Sequence, residues 1–255
     1  MDECPGNHAA LPSLFDRTMP DNPVLWAALS GRNAGRALVD DLDNPSQCLL
    51  RTDAVLTFAS RQISQAFLDE ALDRFGRKDE VWLIWPTGLS SRLRPPETAD
   101  IGERFEFTDC DPQSQTLADL RGRLPPGFAI RPIDRQLLQR CAWREEMEFY
   151  AGSLDNFLAN GVGLCLMRGD EIISEAYASS LGEGFAETGA ITHGAHRGRG
   201  YAPIACAYLY EDLARRGYQA YWSCDADNPA SIRVAQKLGF RVRKPYQIHE
   251  YHSRT

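Results

Sequence analysis

A chain of 255 residues, 43% hydrophobic and 25% charged, has the composition of a globular protein with one large domain or two small ones. Its net charge of −7 argues against nucleic acid as a partner, because binding a phosphate backbone needs a basic surface. No run of eighteen apolar residues offers a membrane span, and the acidic opening Met1-Asp2-Glu3-Cys4-Pro5 is no secretory signal. The seven cysteines (Cys4, Cys48, Cys110, Cys141, Cys165, Cys206, Cys224) are scattered, odd in number and without a CxxC pair. They argue against a disulfide framework and structural zinc and favour a reducing cytoplasm.

In chain order, Asn22 to Ser30 reads as a helix, and Arg36 to Asp40 and Cys48 to Ala59 as strands. Gln62 to Phe75 reads as a helix and Val81 to Trp85 as a buried strand. A proline-rich stretch from Pro86 to Gly127, with Arg94-Pro95-Pro96 and Leu124-Pro125-Pro126-Gly127, reads as a linker holding one strand, Arg104 to Thr108. Phe128 to Ile133 is the next strand. Arg135 to Tyr150 has helical character, and Ser153 caps a short helix ending at Asn160. Gly163 to Met167 and Ile172 to Ser179 are strands turned at Gly169-Asp170, and Phe185 to Thr192 is a third. The loop from His193 to Gly200 opens a helix running to about Arg216, which Gly217 stops. After a strand from Tyr218 to Cys224 comes a helix from Pro229 to Leu238, with Asn228 as N-cap and Gly239 as its stop. Phe240 to Arg243 and Gln247 to His252 close the pattern as two strands. Strands alternating with helices predict an α/β (α+β) fold in two parts, residues 1–120 and 121–255. The first part echoes the strand–strand–helix–strand order of the second. No glycine stands where Ser60-Arg61-Gln62 joins its strand to its helix, so it is expected to lack a cofactor loop.

Chemistry concentrates at Arg197-Gly198-Arg199-Gly200-Tyr201-Ala202, between a strand and a helix. A phosphate is held where successive backbone N–H groups converge and a helix N-terminus adds its partial positive charge. Glycines at 198 and 200 let the backbone approach, and Arg197 and Arg199 add charge. Taken alone, the string also describes a surface turn with two arginines. A second signature follows: Asn228-Pro229-Ala230-Ser231, then Ala235-Gln236-Lys237-Leu238-Gly239-Phe240.

With both motifs in order and at this spacing, residues 128 to 255 resemble the GNAT (GCN5-related) acyltransferase superfamily. The loop matches its [QR]-x-x-G-x-[GA] pattern at Arg197, Gly200 and Ala202, and the helix matches N-x-x-[AS] … K-L-G-F at Asn228, Ser231 and Lys237 to Phe240. The whole chain, including Gly35 to Asp41 and Tyr221 to Asp225, looks most like the subfamily of the zwittermicin A resistance acetyltransferase. The resemblance implies a GNAT acyl-CoA N-acyltransferase fold in the C-terminal half, a mixed central sheet flanked by helices, and a degenerate GNAT-like N-terminal half. It implies acetyl-CoA as cosubstrate, no metal, and transfer to the amine of a small molecule, such as an aminopolyol antibiotic or a metabolite, by a cytoplasmic monomer or homodimer. Gly198 to Ala202, including Arg199 and Tyr201, would cradle the pyrophosphate. Ile191, Thr192 and His193 would hydrogen-bond the pantetheine arm and the acetyl carbonyl, and Asn228 with Ser231 would complete the cofactor site. Helix capping alone also accounts for Asn228.

An amine with a pKa near 10.4 must lose a proton before attack, at a cost of about 4.6 kcal/mol at pH 7. Glu187, ten residues before Arg197 on the strand leading to the loop, is the first candidate base, with Glu175 in reserve. An exposed strand glutamate is the plainer alternative for Glu187. In the superfamily a tyrosine three residues before the Leu-Gly-Phe often protonates the leaving thiolate; Ala235 stands there, leaving Tyr246, His249, Tyr251 or water. Glu145, Glu146 and Glu148, interleaved with Trp143, Phe149 and Tyr150, would suit a cationic acceptor or simply form a solvated helix face. Two other readings stay open: a non-catalytic acyl-CoA-binding module, which Ala235 favours, and an acetyltransferase acting on a protein amine.

Overall fold

The computed structural model describes residues 1–17, 21–76, 80–108 and 110–251. By its internal contacts the chain divides into one unit of Met1–Arg104 with the residues from Pro245 on, and a second of Phe105–Lys244. The sequence division at 120/121 falls inside the second unit. Phe107, Leu117 and Leu120, from the proline-rich stretch, are buried in the same core as the helix after the glycine loop.

In the first unit β1 (Asp2–Pro5), β2 (Gly35–Val39), β3 (Cys48–Thr52) and β4 (Leu56–Ala59) pair antiparallel in sequence order, with α1 (Pro23–Leu29) between β1 and β2. Asn22 caps α1, its side chain accepting from the Val24 N–H at 2.9 Å. The strand expected from Cys48 to Ala59 is instead a hairpin. It turns at Asp53–Val55, where Val55 adopts a φ of 52°, and Leu49 comes to face Ala59. Next come α2 (Gln65–Gly76), β5 (Val81–Ile84) and β6 (Asp100–Thr108), whose last residues belong to the second unit. The helix α2 begins after the predicted Gln62 because Ser64 caps it, accepting from the Phe67 N–H. β4 and β5 are parallel, paired from Leu56/Trp82 to Phe58/Ile84, so the ladder runs to the end of β5. Leu38, Leu49, Leu68, Leu72, Val81 and Leu83 form the core here.

The second unit adds α3 (Gln115–Gly122), capped by Ser114 and not anticipated from the sequence. It continues with β7 (Phe128–Pro132), α4 (Arg135–Leu138), α5 (Arg144–Ala151), α6 (Leu154–Asn160), β8 (Val162–Arg168), β9 (Glu171–Gly182) and β10 (Phe185–Thr192). The chain then forms α7 (Tyr201–Arg215), β11 (Gln219–Asp225), α8 (Pro229–Lys237) and β12 (Arg241–Tyr251). Strands β7 to β10 pair antiparallel in sequence order and β11 joins β10 in parallel, giving the mixed sheet expected.

The predicted helix from Arg135 to Tyr150 is interrupted, since the N–H groups of Ala142 and Trp143 bond the Glu175 carboxylate rather than helical carbonyls. The two closing strands are one. Lys244 stays extended before Pro245, as residues preceding proline prefer, and His249 to Tyr251 pair with β5 in the first unit. His252, the last residue of the predicted strand, lies outside the described residues.

Candidate active site

Strands β10 and β11 form a fork. Their parallel ladder runs only from Phe185/Gln219 to Glu187/Tyr221, while β10 continues to Thr192 and β11 to Asp225. Thr188 marks the branch point: its hydroxyl donates to the Tyr221 carbonyl at 2.7 Å and lies 3.2 Å from the Tyr210 hydroxyl. On its other side β10 stays paired with β9 through Thr192/Ser174, after a bulge between Glu187 and Thr188. Beyond the strand, the His193 N–H bonds the Ile173 carbonyl at 3.0 Å. Antiparallel ladders alternate, so this bond turns the main chain of His193, Ile191 and Gly189 toward β9 and that of Ala190 and Thr192 toward the fork. Ala190 was missed in the sequence, where nothing fixes which residues of a strand direct their polar groups to which edge. The Ile191 carbonyl also accepts from the Ser174 hydroxyl at 2.8 Å, and the Thr192 carbonyl from Arg197 Nε at 3.1 Å.

The loop after β10 is built for close approach. Gly198 and Gly200 both have φ of 79°, a left-handed conformation that glycine adopts without strain, and a Cβ at either position would meet open space. Gly200 is the N-cap of α7 and supplies no side chain to the first-turn N–H groups, while Pro203 has no N–H to satisfy. A cleft of about 530 Å³ adjoins this helix start, lined by Arg123, Arg199 and Lys237 together with Asp119, Gly200 and Tyr201. Uncapped amides, two left-handed glycines and three cationic side chains fit an anionic phosphate ligand. Arg123, from the proline-rich stretch, is an addition to the expected set.

Glu187 lies on β10 opposite Ser180, at the base of the fork, and its Oε1 accepts from the Ser223 hydroxyl at 3.2 Å. Glu175 is fully buried and differently engaged. Its oxygens accept from the Ala142 and Trp143 N–H groups at 2.7 and 3.1 Å, and Oε1 lies 2.6 Å from His193 Nε2. The His193 side chain thus meets β9, as its main chain does. His196 is also tied, with Nε2 2.9 Å from Glu171 Oε1. That bond, with a second from Arg168, holds the Glu171 carboxyl below its ordinary range. Asn228 caps α8, its side chain accepting from the Ser231 N–H at 3.0 Å, and the Ser231 hydroxyl accepts from Trp222 Nε1 at 3.1 Å.

Ala235, Leu238 and Phe240 are core residues. Tyr246, His249 and Tyr251 belong to the first unit, where Arg104 Nε donates to the Tyr246 hydroxyl and His249 stacks on Trp85 with centroids 4.2 Å apart. Cys206 is buried, which pushes its thiol well above the ordinary range and leaves it a poor nucleophile. Among the described residues no group of three or more His, Cys, Asp or Glu side chains could hold a metal, and no helix is long and apolar enough to cross a membrane.

Residues 13–249 match the family described as GNAT acetyltransferase. The chain is 30% identical over 132 residues to the uncharacterized N-acetyltransferase YdfB of Bacillus subtilis (strain 168), covering 50% of this chain and 49% of that protein. It thus spans about half the length of this curated relative. A GCN5-related N-acetyltransferase-like protein from Streptococcus suis 89/1591 superposes with a TM-score of 0.67 at 22% identity, covering 91% of this chain and 93% of that one. A tandem GNAT protein from the clavulanic acid biosynthesis pathway gives a TM-score of 0.62 at 14% identity, over 98% of both chains. At these identities the two structures establish likeness of fold.

Proposed function

This chain belongs to the GNAT acetyltransferase family, and we propose that it transfers an acetyl group from acetyl-CoA to the amine of a small molecule by direct transfer. The observation carrying this reading is the fork, whose open edge on β10 leads into the glycine loop and the uncapped start of α7. Acetyl-CoA supplies an activated acyl group on a thioester. The amides from Gly198 to Ala202, with Arg199, Arg123 and Lys237, would hold its phosphates. Ala190 and Thr192 would present main-chain groups to its arm.

Glu187, on the strand that borders the fork, takes a proton from the attacking amine. A C–N bond forms as the C–S bond breaks, and the departing thiolate takes its proton from water, since Ala235 offers none. Glu175 is unsuited to be the base, because its oxygens already accept two backbone N–H groups and meet His193. The likeness to the zwittermicin A resistance subfamily supports a small aminopolyol or metabolite as acceptor, and the cysteine pattern supports a reducing, cytoplasmic setting.

Coenzyme A in hundredfold excess over its dissociation constant should stabilise the protein by about 2.7 kcal/mol. Gly200→Val, strained by its positive φ, lowers the stability of the unliganded protein; the informative quantity is the further shift on adding ligand, which should vanish. A wild-type protein with no thermal shift in millimolar acetyl-CoA would overturn the proposal. The buried Ala235 favours a second reading, a non-catalytic acyl-CoA-binding module. Mass spectrometry after incubation with acetyl-CoA and an amine panel separates the two, since the module would shift in melting yet acetylate nothing. A protein-amine acetyltransferase would modify peptides in preference to small amines in the same assay.

A further inference from the structure

Tyr177 in β9 is 4% exposed, and its ring lies directly on Gly189 of β10: a Cβ at 189 would fall 2.7 Å from Tyr177 Cζ and from its hydroxyl oxygen. Trp143 meets the same ring edge-on, with centroids 6.0 Å apart. A tyrosine buried to this degree ordinarily hydrogen-bonds its hydroxyl within the protein. Those of Tyr208, Tyr210 and Tyr246 do so, to the Arg121 carbonyl, the Thr188 hydroxyl and Arg104. No hydrogen bond joins the Tyr177 hydroxyl to another described residue.

Its surroundings narrow what could bond it. Helix α5 is strapped along β9 at both ends, by Glu175 to the N–H groups of Ala142 and Trp143 and by the Ser180 hydroxyl, which donates to the Tyr150 carbonyl at 2.9 Å. Glu146 lies between the straps, as Tyr177 lies between Glu175 and Ser180. Glu187 faces the same side of the sheet from β10, opposite Ser180. Burial, and behind it Tyr150, Glu146, Glu187 and Glu175, push the phenol well above its usual value, so it stays neutral. A ring of carboxylates around a neutral hydroxyl disfavours an anion such as a leaving thiolate and suits a cation.

We propose that Tyr177 contacts the acceptor: its hydroxyl receives a hydrogen bond from the attacking amine over Gly189, on the face of β10 that carries Glu187. This rests on the acetyltransferase reading above and assigns the place where its amine binds. Glycine at 189 is required because any larger residue would displace the ring that positions the hydroxyl.

The test uses the full chain carrying tyrosine labelled with ¹³C at Cζ, saturated with coenzyme A and titrated with n-butylamine and 1,4-diaminobutane. The Tyr177 resonance, identified by its loss in Tyr177→Phe, should move and saturate with at least one amine. Tyr177→Phe keeps the ring against Trp143 and Gly189, so the fold and the coenzyme A thermal shift should be retained. With a turned-over amine, the variant's KM should rise roughly 10- to 100-fold, the range for losing a hydrogen bond to a charged group, with kcat nearly unchanged. A resonance that ignores every amine would overturn the proposal. So would a fall in kcat at unchanged KM, which would assign the hydroxyl to the leaving group. If amines move the resonance but are never acetylated by acetyl-CoA, the binding role stands and the transfer reading fails.

Discussion

The hydroxyl of Thr188 donates to the carbonyl of Tyr221 at 2.7 Å, at the last pair of the parallel ladder of β10 and β11. Both residues are buried, so the hydroxyl adds a bond shielded from water at the branch point. Thr188→Val keeps the shape and removes the donor. We expect chemical denaturation to show a loss of about 0.5–1.5 kcal/mol, the net contribution of one intramolecular hydrogen bond. An unchanged midpoint would mean that the fork is held open by other contacts.

Glu187→Gln preserves the volume at the base of the fork and abolishes the base. Turnover should fall by ~10²- to 10⁴-fold, while acetyl-CoA affinity changes little, because the glycine loop is untouched. The acidic limb of the pH–rate profile should flatten, and raising the pH should recover part of the loss as unprotonated amine accumulates. Wild-type turnover at saturating acceptor and pH 7 would leave Glu187 as a strand residue bonded to Ser223.

Calorimetric titration should give one coenzyme A per chain. In the first unit β4 and β5 pair to the end of β5, leaving no fork like that of β10 and β11, and Ser60-Arg61-Gln62 offers no glycine loop. A stoichiometry of two would contradict this.

Asp40 supplies a pH-dependent clasp in the first unit. Desolvation alone would raise its carboxyl, but the Ser46 hydroxyl and the N–H groups of Gln47, Ser46 and Asp41 prevail and bring it to about 2. A folded value below the unfolded one means the clasp is fully present above pH ~4 and lost as pH falls through about 2. Amide signals of Ser46 and Gln47 followed by NMR should report that midpoint, and a midpoint near 4 would rule the clasp out.

The elements of the second unit were legible where chain chemistry is local. Ser153, Asn228 and Gly217 announce helix ends through short-range bonds or a required φ, and the glycine loop carries its own conformational signature. What escaped depends on residues far apart in sequence. The break at Ala142 exists because Glu175, on β9, takes the helical N–H groups, and the hydroxyl of Tyr177 gains its meaning from Gly189 and the length of a ladder. The shared core of Leu117 and Leu120 with α7 likewise overrode a proline-rich composition that reads as linker. Strand parity, which selects Ala190 and Thr192 over Ile191, follows from one bond at His193 that no periodicity reveals.

The first unit is not one continuous length of polypeptide in the way a cloned domain usually is. β5 of the first unit obtains its neighbour from His249 to Tyr251, and the whole of Phe105–Lys244 intervenes before that strand is translated. During synthesis the first unit must therefore wait with that edge uncovered while the second emerges. An expression fragment ending at Arg104 would carry an exposed strand edge, of the kind that recruits other chains and aggregates. Gene dissection after Arg104 would leave the first unit without its last strand, whereas a circular permutant that moved that strand beside β5 would give the first unit an existence of its own.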